Sequence, residues 1–193
     1  DFWISMNDYD LRHASVGNSM ISVLSLRSGT YYDGYFYAYN DRGELLRIDP
    51  NDTTAYNVLG ASGLDVSYDQ VTAMAMDYTT GTMYALTLPS TWDYATDKAV
   101  SRPGSLATVD LDTGKVTKIA ELDMTNKVFA MAIDKSGTMY VAGSPNYYSD
   151  ASLYTMDKTS GALTKVTDLT GAKIYTGNTY YGTMQYNAQM AYD

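Results

Sequence analysis

Apolar and polar residues alternate with a period of two along most of this chain, in short runs closed by turns that carry glycine or aspartate. From Phe129 to Leu169 the runs read FAMAID, TMYVAG, SLYTMD and ALTKVTDL, separated by KSG, a loop and KTSG. From Thr72 to Leu122 the same order recurs as TAMAMD, TMYALT, SLATVD and KVTKIAEL, with YTTG, a longer loop and LDTG between them. No stretch shows the apolar stripe of an amphipathic helix, so the pattern predicts an all-β chain with minimal helix. The Asp-Thr-Gly of residues 112–114 and the Thr-Ser-Gly of residues 159–161 supply the positive φ that tight hairpins need.

The duplication is an internal repeat. Asp77, Asp134 and Asp193 close the related hexads TAMAMD, FAMAID and AQMAYD, spaced 57 and 59 residues apart, and GTMY occurs at Gly81–Tyr84 and again at Gly137–Tyr140. A more divergent first copy precedes them. Its predicted strands are Met20–Leu26, Tyr35–Tyr39, Glu44–Asp49 and Thr54–Leu59, with turns at Asp33-Gly34, Asn40–Gly43 and Pro50–Thr53. The repeat units are therefore about residues 20–59, 72–122 and 129–169, with residues 184–193 as the first strand of a further unit and residues 1–18 without a clear pattern. In the second unit, alternation puts Ala73 and Ala75 on one side and Met74 and Met76 on the other. Small residues on one side suit a strand running close to its symmetry mates.

Tandem four-stranded antiparallel units with a tight glycine turn between the last two strands look like β-propeller blades. The strings LATVDLDTGKVTKIAEL and LYTMDKTSGALTKVTDLTG resemble the repeat of bacterial YVTN/quinoprotein-like propellers. The resemblance implies three blades plus partial strands at the ends. It implies no quinone, because the tryptophan ladders of quinoproteins are missing: Trp3 and Trp92 are the two tryptophans. Three blades are fewer than the four to eight that close a ring. The expectation is therefore that further blades come from the same parent chain or from a second copy.

Composition narrows the function. Of 193 residues, 45% are hydrophobic and 18% charged, with 20 tyrosines against 3 phenylalanines, a balance suited to half-buried strands. A net charge of −9 disfavours nucleic acid and anionic membrane surfaces as partners. No apolar run is long enough to span a bilayer. With no cysteine and with His13 as the single histidine, a thiolate nucleophile and the usual zinc sites are excluded by counting, and His13 reads as an ordinary side chain in a polar stretch. No Gly-rich phosphate loop and no EF-hand sequence occurs, so no cofactor or metal is assigned. The chain opens on DFWISMND, without an initiator methionine or signal peptide, as expected of a segment whose targeting sequence has been removed.

Propeller geometry assigns the second-to-third and blade-to-blade connections to one face, and here these are long and aromatic. They carry Trp92, Tyr94, Tyr147, Tyr148 and Tyr68, with Tyr175, Tyr180 and Tyr181 farther on. Rings with polar tips on long loops over a rigid scaffold suit recognition of a protein or a carbohydrate. These eight residues are the predicted ligand-binding set, and no catalytic residue is assigned. The alternative, a carboxylate-based glycoside hydrolase or lyase, would draw on Asp65, Asp69, Asp93, Asp97 or Asp150. The strand-end residues Asp49, Asp77, Asp110, Asp134 and Asp157 read instead as turn caps. A third alternative is a purely structural spacer in an adhesin. The expected setting is a larger secreted or cell-surface bacterial protein.

Overall fold

The computed structural model describes residues 26–89, 92–93, 98–99, 103–123, 127–145 and 149–173. Among them the chain is all-β, without a helix, and its main strands form three sheets of four antiparallel strands each. The first sheet, blade 1, runs in the order β1 (Leu26–Tyr32), β2 (Tyr35–Asn40), β3 (Glu44–Asp49) and β4 (Asp52–Ala61). Blade 2 holds β5 (Asp69–Asp77), β6 (Thr82–Pro89), β9 (Ser105–Val109) and β10 (Val116–Glu121). Its β6–β9 connection carries a small ribbon of its own, β7 (Trp92–Asp93) paired with β8 (Lys98–Ala99). Blade 3 is β11 (Lys127–Ile133), β12 (Met139–Ser144), β13 (Asp150–Met156) and β14 (Leu163–Lys173).

The first described strand of blade 1 is Leu26–Tyr32; of the Met20–Leu26 segment, residues 20–25 lie outside the described residues. The turn sets where this strand ends. Asp33 and Gly34 both have positive φ, +46° and +85°, and such a two-residue hairpin requires its first strand to end at Tyr32, directly opposite Tyr35. Residues 1–18, with His13, and the strand expected at 184–193 also lie outside the described residues.

The three sheets stack face to face. The inner strand β5 packs against β1 on one side and β11 on the other. Between blades 1 and 2 the core contains Tyr37, Tyr39 and Leu45 against Val71, Met74, Met76, Met83 and Val109. Between blades 2 and 3 it contains Ala73, Ala75, Leu86, Leu106 and Leu122 against Val128, Met131, Ile133, Met139 and Val141. The alanines and methionines of β5 thus face opposite neighbours, as their alternation requires. Each inner strand has a register irregularity at a matching place, between Leu26 and Ser28, Val71 and Ala73, and Val128 and Ala130. It turns Val71 onto the face of Met74 and Met76, and Val128 onto the face of Met131 and Ile133.

Blade-to-blade contact follows one rule at both junctions: the turn between the third and fourth strands leans on the end of the preceding blade's outer strand. Val116 N donates to Ser62 O across the first junction (2.9 Å), where Tyr39 Oη donates to Gly114 O. Gly60 lies so close to Thr113 O that a side chain there would have no room, and a Cβ on Gly114 would come within 2.6 Å of Gly60 O. At the second junction, Gly161 lies against Leu122 and Ala120 in the same way.

Candidate functional site

The predicted aromatic set is only partly placed. Tyr94, Tyr147, Tyr148, Tyr175, Tyr180 and Tyr181 lie outside the described residues, as does Asp97. Trp92 begins the β7–β8 ribbon, which rises from the connection between the second and third strands of blade 2. The corresponding turn of blade 1 is residues 41–43, closed by Gly43 N donating to Asn40 O at 3.1 Å. The ribbon is therefore an addition to the blade plan. In blade 3 the corresponding loop is drawn in at its base, where Ser144 Oγ donates to Ser149 O at 3.1 Å.

Tyr68 is half-buried at the end of the blade 1–blade 2 connection. That connection is folded by its own polar groups. Ser67 N donates to Asp65 Oδ1 (3.1 Å), Tyr68 N and Asp69 N both donate to Asp65 O (2.8 Å), and Leu64 N donates to Ser62 Oγ (3.2 Å). It packs down on the Asn40–Glu44 turn. The space left between them, lined by Asn40, Gly43, Ser62, Val66 and Asp69, is about 10 Å³, room for no more than one water.

Of the acids considered for hydrolysis, two are engaged in local contacts. Asp65 folds its loop, and Asp69 is ion-paired with Lys118 at 2.5 Å. Asp93 sits in the ribbon, and Asp150 begins β13. No group of three or more histidines, cysteines or acids that could hold a metal occurs among the described residues. The strand-end aspartates cap turns. Asp49, Asp77, Asp110, Asp134 and Asp157 each accept a hydrogen bond at Oδ1 from the backbone N–H two residues on, at 2.8–3.0 Å. At Asp110, Asp134 and Asp157 these bonds hold the carboxyl below its ordinary range. The leading cause is the N–H of Asp112 at Asp110, the Ser136 hydroxyl at Asp134 and the Thr159 hydroxyl at Asp157.

A second group of aromatic residues lies at the short-turn end, where the sequence pattern singled out none. Tyr32 and Tyr35 face each other across the Asp33-Gly34 hairpin. The Tyr78 ring, from the β5–β6 turn, tilts against Tyr32 with 5.8 Å between centroids, and its hydroxyl donates to Tyr31 O at 3.2 Å. Arg47 stacks over Tyr35, with its guanidinium carbon 4.7 Å from the ring centroid. Tyr78 is 63% exposed and Tyr35 is 37% exposed.

The comparisons with known proteins agree with this geometry. No protein-family model and no curated protein matches the chain. Among solved structures it is similar to a chain of the nidogen/laminin complex, with a TM-score of 0.50 at 10% identity, over 77% of this chain and 50% of that one. It is also similar to an exo-β-1,3-galactanase from Clostridium thermocellum, with a TM-score of 0.51 at 13% identity, over 72% of this chain and 35% of that one. The chain thus spans half the length of the first and about a third of the second. At these identities the likeness establishes the fold alone: three four-stranded blades of a β-propeller.

Proposed function

We propose that this chain is a non-enzymatic recognition segment of a YVTN-like propeller from a secreted or cell-surface bacterial protein. It binds a protein or a carbohydrate through its long aromatic connections. The observation that carries this reading is the β7–β8 ribbon with Trp92 at its start, built into residues 90–104 where blade 1 turns in residues 41–43. A blade needs no such insertion to fold, and long additions to a rigid scaffold are where binding residues collect. Tyr94, Tyr147, Tyr148, Tyr68, Tyr175, Tyr180 and Tyr181 complete the surface in this reading. Further blades, from the parent chain or a second copy, complete the ring.

The test combines a glycan array and capture of surface proteins with the Trp92→Ala, Tyr147→Ala and Tyr148→Ala variants. Each variant is expected to lose binding of the captured ligand while melting at the parent temperature. Unchanged binding by all three would remove the long-loop surface from consideration. Release of reducing sugar, lost on substituting Asp93 or Asp150, would favour the hydrolase instead.

A further inference from the structure

The short-turn end of blades 1 and 2 departs from the chain's own repeat in a way folding does not require. By strand register, Tyr35 occupies the position of Thr82 in blade 2 and Thr138 in blade 3, and Arg47 occupies that of Thr108 and Thr155. Blades 2 and 3 form with threonine at both places, so neither the ring nor the guanidinium is needed to build a blade. Tyr32 likewise stands where the other blades carry the turn-capping Asp77 and Asp134. The three departures fall together. Tyr32 pairs with Tyr35, Arg47 lies over Tyr35, and Tyr78 of the next blade closes on Tyr32 to continue the row.

The row has the chemistry of a sugar platform. Tyr35 and Tyr78 offer partly exposed rings, and Asp33 adds an exposed carboxylate beside them. Arg47 has no acid partner among the described residues, and its Nε is buried without a hydrogen-bond acceptor. Aromatic faces receive the apolar C–H side of a pyranose, and guanidinium and carboxylate receive its hydroxyls. A stable protein interface buries roughly 800 Å² per partner around an apolar centre. The exposed rings at this end, Tyr31, Tyr35 and Tyr78, stand beside the exposed polar residues Asp33 and Thr80 without the buried apolar centre of such an interface, and match a few sugar rings instead. The net charge of −9 opposes an anionic polysaccharide. We propose that Tyr35, Tyr78 and Arg47 form a surface site for a neutral oligosaccharide, separate from the long-loop face.

Native affinity electrophoresis with soluble xylan, mannan, galactan, β-glucan and starch, followed by calorimetry with tetrasaccharides of any that retards the protein, tests the site. At least one neutral glycan should bind. Tyr78→Ala should weaken it by about tenfold or more, while Tyr78→Phe, which keeps the ring, should stay near the parent. The double variant Tyr35→Thr with Arg47→Thr restores the residues of the other blades. It should keep the melting temperature and lose the glycan. The proposal is overturned if no neutral glycan binds, if the double variant binds like the parent, or if saturable binding is confined to heparin or to a protein.

Discussion

At Gly60 the outer strand of blade 1 passes so close to the carbonyl of Thr113 that the missing side chain is itself a packing element. The obstacle is backbone, which cannot rotate away. Gly60→Ala should therefore destabilise the protein by about 1–3 kcal/mol in urea unfolding, by steric conflict between blades. Gly34→Ala is the control. Its Cβ meets nothing, so its cost is the left-handed backbone alone, about 1 kcal/mol. Equal costs would mean that blades 1 and 2 stand farther apart in solution. Tyr39 belongs to the same contact. Burial, and then the nearby Asp110 charge, push its hydroxyl well above the ordinary tyrosine range, so it remains a neutral donor to Gly114 O through the alkaline range.

The two blade junctions are built on one plan with different chemistry. At the first, Leu111 of the third-to-fourth turn and Tyr32 both pack against the core around Tyr37. At the second, the matching positions hold Lys158, Asp77 and Tyr84: Lys158 pairs with Asp77 and lies 5.8 Å from the Tyr84 ring centroid. The Asp77 side chain is wholly buried. Burial alone would raise its pKa, but hydrogen bonds from Lys158 and Thr79 outweigh that and hold the carboxyl below the ordinary range. Lys158→Met leaves a buried charge without its partner and should cost about 3–5 kcal/mol. Adding Asp77→Asn should recover part of that loss, since the unpaired charge is then gone. The sign of the pH dependence follows from the depressed folded-state pKa. The contribution is fully present above the ordinary carboxylate range and is lost as pH falls through the folded-state value. Acid titration of stability should therefore be shallower in Asp77→Asn than in the parent, and equal slopes would remove Asp77 as a source of acid sensitivity.

Across the whole molecule, blade 2 is the shared wall, with one face in each inter-blade core. Leu86 and Leu106, fully buried, lie on the face turned to blade 3. Leu86→Ala should cost about 2–5 kcal/mol by leaving a cavity where two sheets meet. Because that wall belongs to both junctions, near-UV circular dichroism and tryptophan fluorescence should report a single transition at a lowered midpoint. Separate transitions would mean that the blades unfold independently. The outward faces of blades 1 and 3 also hold buried apolar side chains, Leu46 and Ile48 on one and Phe129, Ala130 and Ala142 on the other. If a second copy completes the ring, light scattering should give twice the 21.2 kDa chain mass, and a well-folded monomer would eliminate that arrangement.

The sequence by itself determined the all-β class, the four-strand repeat and the role of its turn aspartates, because each is a local property. Period-two alternation selects strands, and an aspartate at a strand end caps the turn that follows through the backbone N–H two residues on. Tertiary structure alone decided where register slips. A bulge between Val71 and Ala73 reverses which neighbour Val71 meets, and strict alternation carries no mark of it. It also decided that Tyr35 and Tyr78, 43 residues apart and read as strand and turn, meet in one row through Tyr32. The repeat held a signal for that row in the exchange of threonine for Tyr35 and Arg47. That exchange becomes legible once strand pairing fixes which positions correspond, since pairing depends on contacts between distant segments and not on local pattern.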